Sequence, residues 1–309
     1  MIEKTEKEIM KNWQGDISNP VVSICCITYN HEQYISEAIN SFLMQETNFP
    51  FEIVIGEDCS TDNTRKIVEK YKEMYPNIIK LIVSENNVGA QANLQRTMEA
   101  CIGEYIAGCE GDDYWTDKNK LQIQKDFLEN NKNISLVFTP AKQIQDGKKD
   151  FIRNEYNIKQ IGKIDTAWVI KKGGGFYPSC SVMIRKELFD NLPNWFYKHS
   201  TGDYPLAILA SLKGKIAYLN ECTSVYRSQP NSVSHIKESD EKIEQKCKNN
   251  IEFFEMLKNN NTIDEKLKKE MIKKEIYMKI SKTKKWGTID LFKIGLKNMI
   301  KLILKELTK

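Results

Sequence analysis

The chain runs to 309 residues, 40% hydrophobic and 28% charged, with 46 Lys and Arg against 42 Asp and Glu for a formal net charge of +4. That length holds one large α/β domain with an appendage, or two domains, and the composition is ordinary for a soluble globular protein. The opening Met-Ile-Glu-Lys-Thr-Glu-Lys-Glu is charged, no apolar run approaches the roughly 18 residues of a membrane span, and the eight cysteines lack any Cys-x-x-Cys spacing, so we expect a cytoplasmic protein with reduced core thiols and no secretory leader, zinc site or disulfide framework.

The small net charge hides an asymmetry. Residues 237–309 carry 19 Lys against 12 acidic residues, a net of +7, which leaves −3 for residues 1–236. The division falls just past the turn-rich Ser228-Gln-Pro-Asn-Ser-Val-Ser, and we read it as a domain boundary between 1–236 and a basic helical region over 237–309.

From the N-terminus, Val21 to Ile27 is a continuous apolar run rich in β-branched residues, as a buried parallel strand should be. Tyr34, Ile35, Ala38, Ile39, Phe42 and Leu43 then recur at helical spacing over Glu32 to Gln45. Phe51 to Ile55 makes a second strand, Ser60-Thr-Asp-Asn-Thr opens a second helix, and Pro76 lies beyond its end. Ile78 to Val83, a turn at Asn86-Asn-Val-Gly and the helix Ala90 to Cys101 lead to a short strand ending in Tyr105-Ile-Ala-Gly-Cys-Glu-Gly-Asp-Asp-Tyr-Trp. Four β-α units with short connections predict an α/β fold with a doubly wound, mainly parallel sheet of Rossmann-like units.

Polar residues gather where these strands end. Thr28, Tyr29 and Asn30 follow the first strand, Glu57 and Asp58 end the second, and Glu110, Asp112 and Asp113 follow the fourth. Loops at the carboxyl edge of an open α/β sheet surround a ligand at its switch point. The oxygen-rich cluster suits a hard divalent cation, Mn²⁺ or Mg²⁺, which normally completes its shell with water and substrate phosphates. A ring, an amide and a carboxylate beside such a cluster suit a nucleotide diphosphate. The plainer alternative is a solvated acidic turn that caps the next helix through Asp117. Neither Gly-x-Gly-x-x-Gly nor a Walker A loop follows the first strand, which disfavours nicotinamide, flavin and ATP chemistry.

The ordered set Thr28-Tyr-Asn, Glu57-Asp-Cys-Ser-Thr-Asp-Asn-Thr, Asn87-Val-Gly, Gly103-Glu-Tyr-Ile-Ala, Glu110-Gly-Asp-Asp-Tyr-Trp and Lys120-Leu-Gln resembles the family 2 inverting glycosyltransferases of GT-A fold that build bacterial surface polysaccharides. The resemblance covers about two thirds of the chain, from Val21 to about Arg227, and implies a catalytic domain over 1–236 with a donor half over about 20–140 and an acceptor half over about 141–236. It implies that Tyr29 and Asp58 contact the nucleobase and that Asp112 is the main metal ligand, with Glu110 where Asp is more usual. It also implies that Asp203 is the general base taking the proton from the acceptor hydroxyl, Gly202 replacing the Glu that usually precedes it. A carboxylate is a weak base, so that proton has to transfer as the nucleophile attacks. Arg227 is a candidate for the phosphates; Asn93 and Arg96 could reach the donor sugar but stand outside the core site. Where relatives carry a His after Tyr-Arg, this chain has Gln229, and neither His199 nor His235 is given a role.

Residues 142–175 are dominated by lysines and close on Gly173-Gly-Gly, as a basic acceptor-binding segment or a solvated loop would. Ser179 to Ile184 reads as a further strand and Tyr204 to Leu212 as a helix. Beyond 237, helical patterns cover Ile243 to Leu257, Ile263 to Ile280 and Ile289 to Leu307, the last with Lys293, Lys297, Lys301 and Lys305 beside an apolar stripe. This helix predicts peripheral contact with the inner face of the membrane, or a homo-oligomer seam. The partners expected are therefore a nucleotide diphosphate sugar donor, UDP by family prevalence, and a glycan or lipid-linked glycan acceptor, with no nucleic acid. Two alternatives of other classes stand beside the enzyme: a catalytically silent nucleotide-sugar-binding scaffold subunit, and, less well supported, a nucleotidyltransferase.

Overall fold

The computed structural model describes residues 4–145, 147–156, 164–189, 192, 196, 202–228, 249–250, 252–257 and 263–283, with the backbone alone for 275–283. The chain divides into two compact units, Met1–Lys237 and Glu238–Lys309.

In the first unit a short helix α1 (Glu6–Met10) is closed by a capping box between Thr5 and Glu8. Then come β1 (Val22–Thr28), α2 (Ile35–Leu43), β2 (Phe51–Glu57), α3 (Thr64–Met74), β3 (Ile79–Val83), α4 (Ala90–Ala100) and β4 (Tyr105–Gly108). The expected succession of strands and helices is therefore present. Further on lie β5 (Tyr114–Trp115), α5 (Lys120–Asn130), β6 (Ile134–Phe138), β7 (Ala141–Ile144), β8 (Phe151–Arg153), α6 (Thr166–Lys172), β9 (Met183–Arg185), α7 (Asp203–Lys213), β10 (Lys215–Tyr218) and β11 (Ser224–Arg227).

Seven strands form one sheet in the order β10-β6-β9-β4-β1-β2-β3. Strands β1 to β4 pair in parallel, as do β6 and β10, while β9 runs antiparallel between β4 and β6. This is the doubly wound, mainly parallel α/β sheet that the periodicity predicts. The inner strands β1 and β2 bury Val22, Ile24, Cys26, Ile53 and Ile55 completely, and α2 lays Ile35, Ala38, Ile39 and Phe42 over the sheet. A second sheet, β5-β11-β7-β8, holds the strand that directly follows the acidic loop.

Three local expectations change. The segment from Ser179 starts as a 3-10 turn over Ser179–Ser181, with Ser181 Oγ donating to the Pro178 carbonyl, and becomes strand only at Met183. Asn119, not Asp117, occupies the cap position of α5, and Asp117 accepts from the Asn119 amide at 2.8 Å. The basic stretch 142–175 contains β7, β8 and α6, elements of three to seven residues that are too short for periodicity to reveal. In the second unit, 252–257 and Glu265–Thr283 are helical; the predicted helix Ile289 to Leu307 lies outside the described residues. Among the described residues, no helix is long and apolar enough to cross a membrane.

At the amino edge of the sheet one polar knot aligns three segments. Ser23 Oγ donates to Glu52 Oε1 at 2.5 Å and accepts the Gly103 amide at 2.8 Å, and the Ile102 amide reaches the same Glu52 oxygen at 2.8 Å. A Cβ on Gly103 would stand 2.6 Å from the Ser23 backbone nitrogen and 2.8 Å from the Val22 carbonyl carbon, so only glycine allows this approach. Gly103→Ala should therefore force β4 away from β1 and lower the unfolding free energy by about 1–3 kcal/mol, the usual range for overpacking. Urea denaturation checks this, and an unchanged midpoint would show that the two strands part without strain.

Candidate active site

Strand β1 leads away to β2 and β3 on one side, and β4 returns on its other side, so the switch point of the sheet lies between the ends of β1 and β4. There the two loops are joined through their backbones. The Cys109 amide donates to the Cys25 carbonyl at 3.2 Å and the Gly111 amide to the Ile27 carbonyl at 3.0 Å. A Cβ on Gly111 would come within 2.6 Å of Thr28 Oγ1, which keeps the acidic loop against the end of β1.

Each predicted residue has a definite place around this join. Thr28 is buried, its carbonyl accepting the Asp58 amide at 3.1 Å and its Oγ1 lying 3.2 Å from His31 Nδ1. Tyr29 presents its ring to solvent, 41% exposed. Asn30 adopts a left-handed φ of 54°; its amide donates to Ser60 Oγ at 3.0 Å and its Oδ1 accepts the Thr61 amide at 2.8 Å. It braces the loop after β2 through its backbone N–H and Oδ1. Asp58 is also buried, and its two oxygens accept the amides of Val88 and Gly89 at 2.8 and 2.9 Å. Each carboxylate oxygen retains a further lone pair. Asn93 and Arg96 clamp the end of β2, through Asn93 Nδ2 to the Gly56 carbonyl at 2.8 Å and Arg96 to the Glu57 carbonyl at 2.5 Å.

The three acids of the loop differ. Glu110 accepts from Ser179 Oγ at 2.9 Å, and burial, then the charge of Asp112 and more weakly that of Asp203, pushes its carboxyl up. Asp113, 1% exposed, accepts the Arg227 amide at 2.7 Å; burial first, then Asp112 and Glu110, raises it well above the usual carboxylate range. Asp112 keeps 17% side-chain exposure, with Oδ2 at 4.0 Å from His31 Nε2. Its carbonyl accepts from Arg227 Nη1 at 2.8 Å. That guanidinium also pairs with Glu37 and lies 4.9 and 4.8 Å from the rings of Tyr34 and Tyr114. Arg227 therefore buttresses the acidic loop.

Asp203 opens α7 and arrives from the far side. Its Oδ2 accepts the Gly175 amide at 3.0 Å, and its carbonyl accepts from the Tyr177 hydroxyl at 2.8 Å. Gly173 and Gly175 hold φ of 83° and 72°, a left-handed backbone that glycine adopts freely. Burial, then the charges of Asp203 and Glu110, raises the buried Tyr177 phenol, so the α7 acid and the loop acids act on one ring. Beneath the loop, Lys120 is fully buried 4.2 Å from the Trp115 ring, with Nζ donating to Gln124 Oε1 at 2.7 Å. Burial lowers its ammonium to about 7.

Three parts of this site were not predicted from sequence: His31, the cradle of Arg227 and Glu37 with the rings of Tyr34 and Tyr114, and the Gly175 amide on Asp203. Arg227 was a candidate for the phosphates and not for this cradle, and His31, three residues past Thr28, stood near enough to a motif to be found. Among the described residues no group of three or more His, Cys, Asp or Glu side chains forms a ready metal cage. The donor set still fits Mn²⁺ or Mg²⁺, because the acids oppose one another's ionisation, as the raised Glu110 and Asp113 record, and one or two carboxylates suffice when substrate phosphates complete the shell.

The fold is similar to that of S. aureus TarS 1-349 in complex with UDP-GlcNAc, at 21% identity and TM-score 0.65 over 84% of this chain and 72% of that one. It is also similar to the mannosyltransferase PcManGT from Pyrobaculum calidifontis in complex with GDP-Man and Mn²⁺, at 14% identity and TM-score 0.58 over 97% and 86%. The architecture is thus that of the GT-A glycosyltransferases. Residues 23–192 match the family model Glycosyl transferase family 2. TuaG of Bacillus subtilis, provisionally named a teichuronic acid biosynthesis glycosyltransferase, is 30% identical over 235 residues, 74% of this chain and 85% of TuaG. An uncharacterized protein of Mycobacterium bovis is 34% identical over 216 residues, 69% of this chain but only 60% of that relative's length. The chain belongs to glycosyl transferase family 2.

A carboxyl raised in the folded state binds its proton there before the unfolded chain does, so stability increases as pH falls through the folded pKa toward the ordinary carboxylate value. Glu110→Gln removes that penalty. In chelator, the variant should be more stable than the parent at pH 8, and the advantage should shrink as pH falls toward 5. Denaturation midpoints at each pH test this; a parent that is the more stable across the whole range would mean that Glu110 is not held against its neighbours' charge.

Proposed function

We propose that this glycosyltransferase moves a sugar from a nucleotide diphosphate donor, UDP-linked in the first instance, to a glycan or glycolipid hydroxyl with inversion at the anomeric carbon. The observation that carries the reading is that one segment holds both acids, the Gly175 amide and the Tyr177 hydroxyl on Asp203 and the Ser179 hydroxyl on Glu110 of the acidic loop. TarS with UDP-GlcNAc and PcManGT with GDP-Man support a sugar nucleotide as donor, and TuaG's name supports a role in surface-polysaccharide synthesis. The Met1–Lys237 unit is the proposed catalytic domain.

On this reading the exposed ring of Tyr29 stacks on the base, and the lone pairs left to Asp58 accept from its ring N–H. Asp112 holds the cation, with Glu110 beside it. When bound, Mn²⁺ or Mg²⁺ neutralises charge on the diphosphate. Asp203 uses Oδ2 to accept the Gly175 amide and offers Oδ1 to the acceptor hydroxyl, taking its proton as the oxygen attacks from the face opposite the diphosphate. The buried Trp115 and Tyr177 back the site and restrict water.

Asp203→Asn preserves shape and removes the base. Donor affinity should persist while transfer falls by about 10²- to 10⁴-fold. Asp112→Ala should instead abolish Mn²⁺-dependent donor binding in calorimetry. Near-normal transfer by Asp203→Asn, or unchanged Mn²⁺-dependent binding by Asp112→Ala, would remove the corresponding role.

We further propose that the 237–309 region, with its net charge of +7, attaches the enzyme to an anionic membrane surface. Each Lys near such a surface contributes about 1 kcal/mol, and the attraction is screened at high salt. The full chain should sediment with phosphatidylserine vesicles at low salt and be released at 1 M, where the Debye length is about 3 Å. Failure to sediment at low salt, or retention at high salt, would argue for a protein seam instead.

A further inference from the structure

Gln91 stands in the first turn of α4, two residues past Gly89, whose amide is held by Asp58. Its Oε1 is buried and has no hydrogen-bond partner. The side chain extends to the start of α7: a Cβ on Gly202 would lie 3.4 Å from Gln91 Oε1 and 3.5 Å from Nε2. Gly202 directly precedes Asp203. The amide therefore lies between the loop that Asp58 fastens and the residue proposed as base.

Buried amide oxygens without a partner are uncommon in folded proteins, because nothing offsets the water they have lost. This one is not isolated in the core, where an apolar side chain of the same shape would serve better. It stands between the Gly89 turn, fastened by Asp58, and the start of α7, on this reading between the nucleotide and the base. In a transferase that space holds the group being moved, which here is a ring bearing hydroxyls. A side-chain amide can accept from one hydroxyl and donate to another.

We propose that Gln91 is a sugar-binding residue of the donor site. Its amide hydrogen-bonds a hydroxyl of the transferred sugar and so orients the anomeric carbon toward the acceptor oxygen that Asp203 deprotonates. This assignment rests on the glycosyltransferase reading above. It gives Gln91 a share in donor choice, because a site built to hydrogen-bond a hydroxyl discriminates against donors that lack it or carry it elsewhere.

The experiment compares binding of UDP with binding of UDP-glucose, UDP-galactose and UDP-GlcNAc, in the presence of Mn²⁺, by the parent chain and by Gln91→Met. Methionine keeps length and shape and removes the amide. Affinity for UDP should stay within about twofold, while affinity for the sugar nucleotide that the parent binds best should fall by about threefold to tenfold, the worth of a neutral hydrogen bond. The ligand-free variant should melt no lower than the parent, since the lost oxygen had no partner; Gln91→Leu serves as a second variant if methionine is not tolerated. Equal losses for UDP and the sugar nucleotide would mean that Gln91 acts through the nucleotide or the fold, and no loss for either would also overturn the assignment. A parent chain that binds neither UDP nor any of the three sugar nucleotides would overturn the donor reading itself, a different result from either of these.

Discussion

Three carboxylates within four residues cannot share a half-buried space without opposing one another's ionisation, and much of the first unit is arranged to hold them there. Glu110 and Asp113 both have raised pKa values because water is excluded and Asp112 is close. The cluster is restrained mainly by dipoles: the Arg227 amide on Asp113, the Ser179 hydroxyl on Glu110, and the Gly111 amide on the Ile27 carbonyl. Arg227 holds the loop by the Asp112 carbonyl and spends its charge on Glu37. Its charge is thus turned toward Glu37 and not toward the loop acids, which suits the loop to the cation and diphosphate proposed to bind there.

The same loop joins the two sheets. Strand β4 ends in the seven-stranded sheet, and after five intervening residues β5 pairs with β11 in the four-stranded one. Trp115 fastens this second start by donating Nε1 to the Cys180 carbonyl at 2.7 Å, above the buried Lys120. Displacement of the four-stranded sheet would therefore be felt at Asp112 and Asp113. The two sheets meet at the acids, a geometry suited to the proposed transfer, in which both substrates must be present together.

The order of elements up to β4 was legible because buried parallel strands are continuous apolar runs and their covering helices repeat at 3.6 residues. The locations of Thr28, Tyr29, Asp58, Glu110 and Asp112 were legible because polar residues that interrupt such runs fall at strand ends. What those side chains do was less so. Asn30 and Asp58 spend hydrogen bonds on neighbouring loops, and nothing local in the sequence distinguishes a ligand-facing carboxylate from one that clasps two backbone amides. Arg227 reaches Asp113 across 114 residues, and Gly175 reaches Asp203 across 28. Such pairings follow from topology, in particular from β9 entering antiparallel between β4 and β6, which no short-range pattern specifies.

Glycine has two separate duties around the site. Gly103 and Gly111 are needed for lack of volume: a Cβ on either would collide with β1, so they fix how closely the acidic loop and its strand approach the switch point. Gly173 and Gly175 are needed for backbone freedom, since their positive φ turns the chain after α6 so that the Gly175 amide meets Asp203. The first pair determines where the acids stand and the second orients the carboxylate that faces them. A stretch whose lysines and glycines read as a solvated loop thus ends in the backbone donor that fixes Asp203, because the useful group is a main-chain N–H and carries no side-chain signature.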